Sequence, residues 1–172
     1  MITREQLTGT YSRGEALDIY NKVKACGNFL DFCQRFMHDD DIHVVRKALW
    51  GLSKAAGAEI ASLQPLFGSL VDLAMKTGDS SVRRLALSIV ERLAMEEEDI
   101  RTDFLDFCLV RAVDMGEQPA IQSLCLKLAY RMCSFYPELT GELTRTIADM
   151  DPMCYTAAVK SVRKKILGGK LK

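Results

Sequence analysis

The sequence predicts an all-α fold, a right-handed α-α superhelix of about eight or nine helices, built from four imperfect repeats behind an N-terminal cap in a single domain. Three observations carry this expectation. An acid-led segment recurs along the chain, apolar residues within each copy fall at helical spacing, and turn-forming residues are scarce. The 172 residues are 48% hydrophobic and 27% charged, enough for a packed core and too apolar for a disordered chain. A chain of this length buries roughly 70% of the surface its unfolded form exposes, so it needs no disulfide or metal staple. With 11 Gly and 4 Pro, the tight turns of a sandwich or barrel lack material. No stretch alternates apolar and polar residues as a half-buried strand does.

Residues 1–40 are expected to form capping helices, with helical patterns over 15–24 and 29–37 separated by Gly27 and Asn28. Phe29, Phe32, Phe36 and Met37 serve there either as core or as a contact surface. The repeats occupy 41–167. Asp41 opens the first copy and Asp79 the second, 38 residues later; Glu117 opens the third after another 38, and Asp151 the fourth 34 beyond that. Three, seven, eight and eleven positions after the acid come Val44, Ala48, Leu49 and Leu52, then Val82, Ala86, Leu87 and Val90. The third copy gives Ala120, Leu124, Cys125 and Leu128, and the fourth Cys154, Ala158, Val159 and Val162. That spacing keeps one face of a helix. Each acid is expected to act as an N-cap, while Pro119 and Pro152 suit a first turn, where a missing N–H costs nothing.

Further helical patterns precede the second, third and fourth copies, over 58–76, 99–115 and 138–149. Pro65 interrupts the first, so that helix either kinks there or begins near it. Gly57, Gly78, Gly116 and Pro137 punctuate the junctions. Residues 168–172 form a basic tail. A helix–turn–helix unit cannot cover its own apolar face, so stacked copies must share a core.

The pattern Asp79, Val82, Arg83, Ala86, echoed by Asp41, Val44, Arg46, Ala48, resembles the second-helix signature of HEAT and armadillo-type repeats. The third copy has Glu117 and no following Arg, and the fourth keeps Asp151 with Tyr155 or Thr156 where Arg would stand. The resemblance implies second helices lining a concave surface that holds partners, and it implies no particular activity.

With Val44, Ala48, Leu52 and Ala55 facing the core, Arg46, Trp50 and Lys54 project from the other side. The same offsets give Arg84, Ser88 and Arg92, then Gln122, Leu126 and Tyr130, then Thr156, Lys160 and Lys164. Six of these twelve positions are basic and none is acidic. The expected binding residues are Arg46, Trp50, Lys54, Arg84, Arg92, Tyr130, Lys160 and Lys164, and the expected partner is a protein or acidic peptide. The bias is masked by a balanced total, 23 Lys plus Arg against 23 Asp plus Glu. Residues 58–116 carry net −5 and 117–172 net +4.

The alternative is nucleic-acid binding, since basic rows interleaved with aromatic rings attract phosphates and stack bases. Val82, Arg83 and Arg84 are reminiscent of HEAT-like alkylpurine DNA glycosylases, in which a carboxylate in the cleft stabilises a cationic transition state. Glu91, beside Arg92, is the only acid near the rows, so no catalytic residue is expected. A third reading makes the exposed surface an oligomer interface, with the oligomeric state open.

No Gly-rich phosphate loop, G-x-S-x-G or H-E-x-x-H occurs, and neither a cofactor nor a metal is expected. His38 and His43 flank Asp39, Asp40 and Asp41, an arrangement that reads as a polar interhelix turn with Asp41 as cap. Glu96, Glu97, Glu98 and Asp99 read as a solvated loop with an N-cap. The six cysteines, Cys26, Cys33, Cys108, Cys125, Cys133 and Cys154, include no C-x-x-C pair and are expected as buried reduced thiols. The basic cluster Arg163, Lys164, Lys165, Lys170 and Lys172 reads as a solubilising end. Residues 1–7 show no apolar signal region and no membrane span follows, so a soluble cytoplasmic protein without a membrane partner is expected.

Overall fold

The computed structural model describes residues 2–8, 12 and 14–171. Among them the chain is helical throughout, with no strand and eleven α-helices where eight or nine are expected. They are α1 (Glu5–Thr8), α2 (Glu15–Cys26), α3 (Phe29–Phe36), α4 (Ile42–Leu52), α5 (Ala58–Ala61), α6 (Phe67–Lys76), α7 (Ser80–Val90), α8 (Thr102–Val113), α9 (Pro119–Cys133), α10 (Pro137–Ala148) and α11 (Ala157–Leu167). The surplus is α1, a single turn ahead of the expected patterns, and α5, which has a local cause. Pro65 falls in a 3-10 turn, Gln64–Leu66, which divides the 58–76 pattern into α5 and α6. Proline cannot donate to the preceding turn, so one continuous helix is blocked.

The chain divides into two compact units, one ending at Ala94 and the other starting at Met95. In the first, α1, α2 and α3 pack on α4, α4 packs on α7, and α6 packs on α7. Phe29, Phe32, Phe36 and Met37 are buried and belong to the core. Gly51 lets α2 approach α4 closely, since a Cβ there would lie 2.4 Å from Ile19 Cγ2. In the second unit α9 is central, packing against α8, α10 and α11.

The acids that open the repeats behave in two ways. Asp41 accepts from the His43 N–H at 2.9 Å and caps α4, and Asp79 accepts from the Val82 N–H at 2.9 Å and caps α7. The third and fourth copies depart from expectation. Glu117 pairs with Arg111 of α8, and α9 begins with Pro119 after Gln118, which makes no side-chain cap bond. Asp151 caps only the 3-10 turn Pro152–Cys154, and α11 starts at Ala157.

The buried face also turns. In α4 and α7 the residues three and seven positions after the acid are buried, whereas Ala120 is exposed and Leu124 half-buried. Cys125 and Leu128 are buried as expected, but Ile121, Gln122 and Leu126 join them in place of Ala120 and Leu124, a rotation of about one residue, or roughly 100°. In the fourth copy Cys154 and Ala158 are exposed, and Val159, Val162 and Ile166 form the buried face.

Side chains of second helices close the ends of first helices. Arg83 Nε donates to the Ala74 carbonyl at 3.1 Å and its Nη2 to Thr77 O, at the end of α6. Arg163 donates to Ile147 O and Ala148 O, each at 2.7 Å, at the end of α10. In the third copy Gln122 serves α8 through Asp114 O at 2.6 Å. These bonds satisfy carbonyls left without helical donors.

Candidate functional site

The site is built on α4 and α7. Val44, Ala48, Leu52 and Ala55 are buried, which leaves Arg46 and Trp50 on the outer side of α4. Val82 and Ala86 anchor α7 in the same core, and Ser81 and Arg84 lie half-buried toward α4. Arg46, Trp50, Ser81, Arg84 and Leu85 together line a shallow cleft of about 140 Å³. Its floor is apolar, its walls carry two guanidinium groups and an indole, and no lining residue is acidic.

Asp79 organises one wall. One carboxylate oxygen caps α7 and the other takes the Arg46 guanidinium, which ties α4 to the start of α7. Burial pushes the Asp79 carboxyl up, but the Val82 N–H and the Arg46 charge outweigh it and hold the group below its ordinary value. Arg46 is therefore fixed and partly neutralised. Among the described residues, Arg84 makes no hydrogen bond or ion pair, so its charge is the one the cleft presents to a ligand.

The other expected binding residues are scattered. Lys54 lies exposed just beyond α4. Arg92 Nη1 donates to Ser53 O at 3.1 Å and its Nη2 to Ala55 O, so this arginine closes the end of α4. In the third copy the expected outward row runs into the interior, with Gln122 and Leu126 both buried. Tyr130 is half-buried on α9, and Thr156, Lys160 and Lys164 are exposed along α11, in the second unit. Of the eight residues, the cleft gathers Arg46, Trp50 and Arg84. Sequence reasoning missed Ser81 and Leu85, which flank Arg84 by three residues and one, a helical neighbourhood that could have signalled them. Glu91 ends α7 half-buried and does not line the cleft.

A larger cavity of about 540 Å³ opens beside α2 and α3, lined by Ile2, Val23, Phe32 and Phe36 with Asp31 and Arg35 among its polar neighbours. None of the expected binding residues reaches it. Its opposed charges select no ligand class, so the smaller cleft is the stronger candidate despite its size.

The acidic turns are engaged in structure. Asp39 takes Arg4 at 2.8 and 2.9 Å, and that hydrogen-bonded charge holds its carboxyl below the ordinary value. Glu96 and Asp99 cap the 3-10 turn Glu97–Asp99 reciprocally. No group of three or more His, Cys, Asp or Glu among the described residues is arranged to hold a metal ion. Four thiols are buried, whereas Cys26 and Cys154 are exposed, which corrects the expectation of six buried thiols. Cys26 is the last residue of α2 and Cys154 the last of the 3-10 turn Pro152–Cys154. Lys172 lies outside the described residues. No helix among the described residues is long and apolar enough to cross a membrane.

Paired helices, second helices capping first ones, and an Asp–Arg pair linking successive second helices define a tandem helical-repeat protein. The chain belongs to the HEAT repeat domain family, whose model matches residues 3–170. No curated protein and no solved structure is matched. HEAT repeats generally serve as protein-interaction scaffolds.

Proposed function

We propose that the protein is a non-enzymatic interaction module that receives an acidic peptide or protein surface at the α4/α7 cleft. The observation that carries this reading is the grouping of Arg84, Arg46 and Trp50 over Leu85 in a cleft with no acidic lining. A carboxylate side chain meets the Arg84 guanidinium in a forked, charge-assisted arrangement, while neighbouring apolar atoms pack on Trp50. Aromatic and arginine anchors of this kind dominate interface energetics. Lys54 is exposed past the end of α4 and does not line the cleft.

Trp50 is the only tryptophan and reports directly on the cleft. Titration with a synthetic Glu/Leu peptide should give a saturable change in its fluorescence that weakens with salt. Arg84→Glu, at a half-exposed position, should lower that affinity at least about tenfold, or roughly 1.4 kcal/mol, with an unchanged helical circular-dichroism spectrum. Equal binding by wild type and variant would remove the cleft from consideration. A tighter response to short duplex DNA or RNA, abolished by the same substitution, would replace the acidic peptide by nucleic acid.

A further inference from the structure

The unit spanning 95–172 carries an exposed apolar patch independent of the α4/α7 cleft. On α8, Asp106, Val110 and Val113 follow at four and three residues and share one side of the helix, away from the buried Phe104, Cys108 and Ala112. Val110 is 67% exposed, Val113 40%, and Met115, just past the helix, 69%. The Tyr155 hydroxyl donates to the Val113 carbonyl at 3.1 Å. That bond ties the 151–155 turn to the end of α8 and brings with it Met153, 86% exposed. Two valines and two methionines therefore face solvent in one region. Clustered exposed apolar groups mark docking surfaces, and methionine adapts to varied partners.

The surrounding charge selects the partner. Residues 95–117 contain eight acids and two bases. Both bases are engaged, Arg101 with Asp103 at 2.7 Å and Arg111 with Glu117. Asp106, Asp114 and Asp151 are exposed carboxylates on the same helix, its C-terminal end and the adjoining turn. An apolar partner alone would leave those charges facing a low-dielectric contact, and a cationic partner alone would leave the valines and methionines in water. A segment with both features satisfies each group. The chain's own basic helix does not qualify, because the apolar residues of α11, Val159, Val162 and Ile166, are already buried.

We propose that this patch docks a basic amphipathic helix of a partner protein. Its apolar side chains cover Val110, Val113, Met115 and Met153, and its Lys or Arg residues meet Asp106, Asp114 and Asp151. The test is fluorescence anisotropy with a labelled synthetic Leu/Lys amphipathic helix, against the same composition scrambled and against a Leu/Glu helix. The Leu/Lys helix should bind saturably and about tenfold or more tighter than the scrambled peptide, with affinity falling as salt rises. Val110→Lys and Met153→Lys, both on the surface, should each reduce that affinity about tenfold while circular dichroism stays unchanged. Equal binding of the scrambled peptide, equal binding of the Leu/Glu helix, or variants that bind like wild type would overturn the proposal. So would sedimentation velocity showing wild-type self-association that Val110→Lys abolishes, since a second copy would then be the occupant.

Discussion

Replacing Asp79 by Ala removes two interactions at once: the cap to the Val82 N–H at 2.9 Å and the ion pair with Arg46. A side-chain N-cap contributes about 1 kcal/mol. The pair is about one-quarter exposed on each side, and contributes about another 1 kcal/mol at most. Asp79→Ala should therefore cost about 2 kcal/mol, whereas Asp79→Asn, which keeps an accepting oxygen, should cost about 1 kcal/mol. The pH dependence follows from the lowered Asp79 pKa. A carboxyl held below its unfolded value contributes its full stability above about pH 4 and loses it as pH falls through the folded pKa. The gap between wild type and Asp79→Asn should thus be complete at pH 7 and shrink in more acid solution. Urea unfolding followed by Trp50 fluorescence, repeated across that range, reads both quantities from the unit that holds the residue. Equal losses for Ala and Asn at pH 7 would refute the capping contribution, and a gap that does not change with pH would refute the carboxylate as its source.

Gly51→Ala should destabilise by about 1–3 kcal/mol, because the new Cβ meets the stiff, branched Ile19 side chain at 2.4 and 3.0 Å. Gly141→Ala, within α10 and with nothing near its Cβ, should instead gain about 0.5–1 kcal/mol; thermal melts of the pair test the contrast, and a stabilising Gly51→Ala would contradict the packing. Lys47 is wholly buried and meets Glu15 at 2.7 Å, so Glu15→Gln should cost about 3 kcal/mol by weakening the compensation of a buried charge. Lys47→Met should cost less, because Glu15 reaches water; urea midpoints that reverse this order would count against the asymmetry. Burial pushes the Cys33 thiol up to about 12 and the Cys108 thiol well above its ordinary value, the latter with a further contribution from Cys125. Timed alkylation with peptide mass spectrometry should find Cys26 and Cys154 modified first, and the four buried thiols only on unfolding.

Features that depend on residues a few positions apart are legible in the amino-acid order alone. The caps at Asp41 and Asp79, the break at Pro65, Pro119 in the first turn of α9 and the inward face of α4 all follow from hydrogen bonds and side-chain rows within one or two helical turns. The HEAT-like second helix was legible for the same reason, since its signature is a cap followed by an apolar stripe. Tertiary structure decided the remainder. Glu117 reads as a cap until Arg111 of the preceding helix takes it, and Arg92 reads as a surface charge until the end of α4 offers the carbonyls of Ser53 and Ala55. The rotation that buries Gln122 and Leu126 arises because α9 is packed by α8, α10 and α11, and burial against several neighbours outweighs a periodic pattern shared with copies packed differently. The cleft itself joins residues more than thirty positions apart, Arg46 and Trp50 with Ser81, Arg84 and Leu85. Periodicity places each on the outside of its own helix, and only the packing of α4 against α7 brings them to one site.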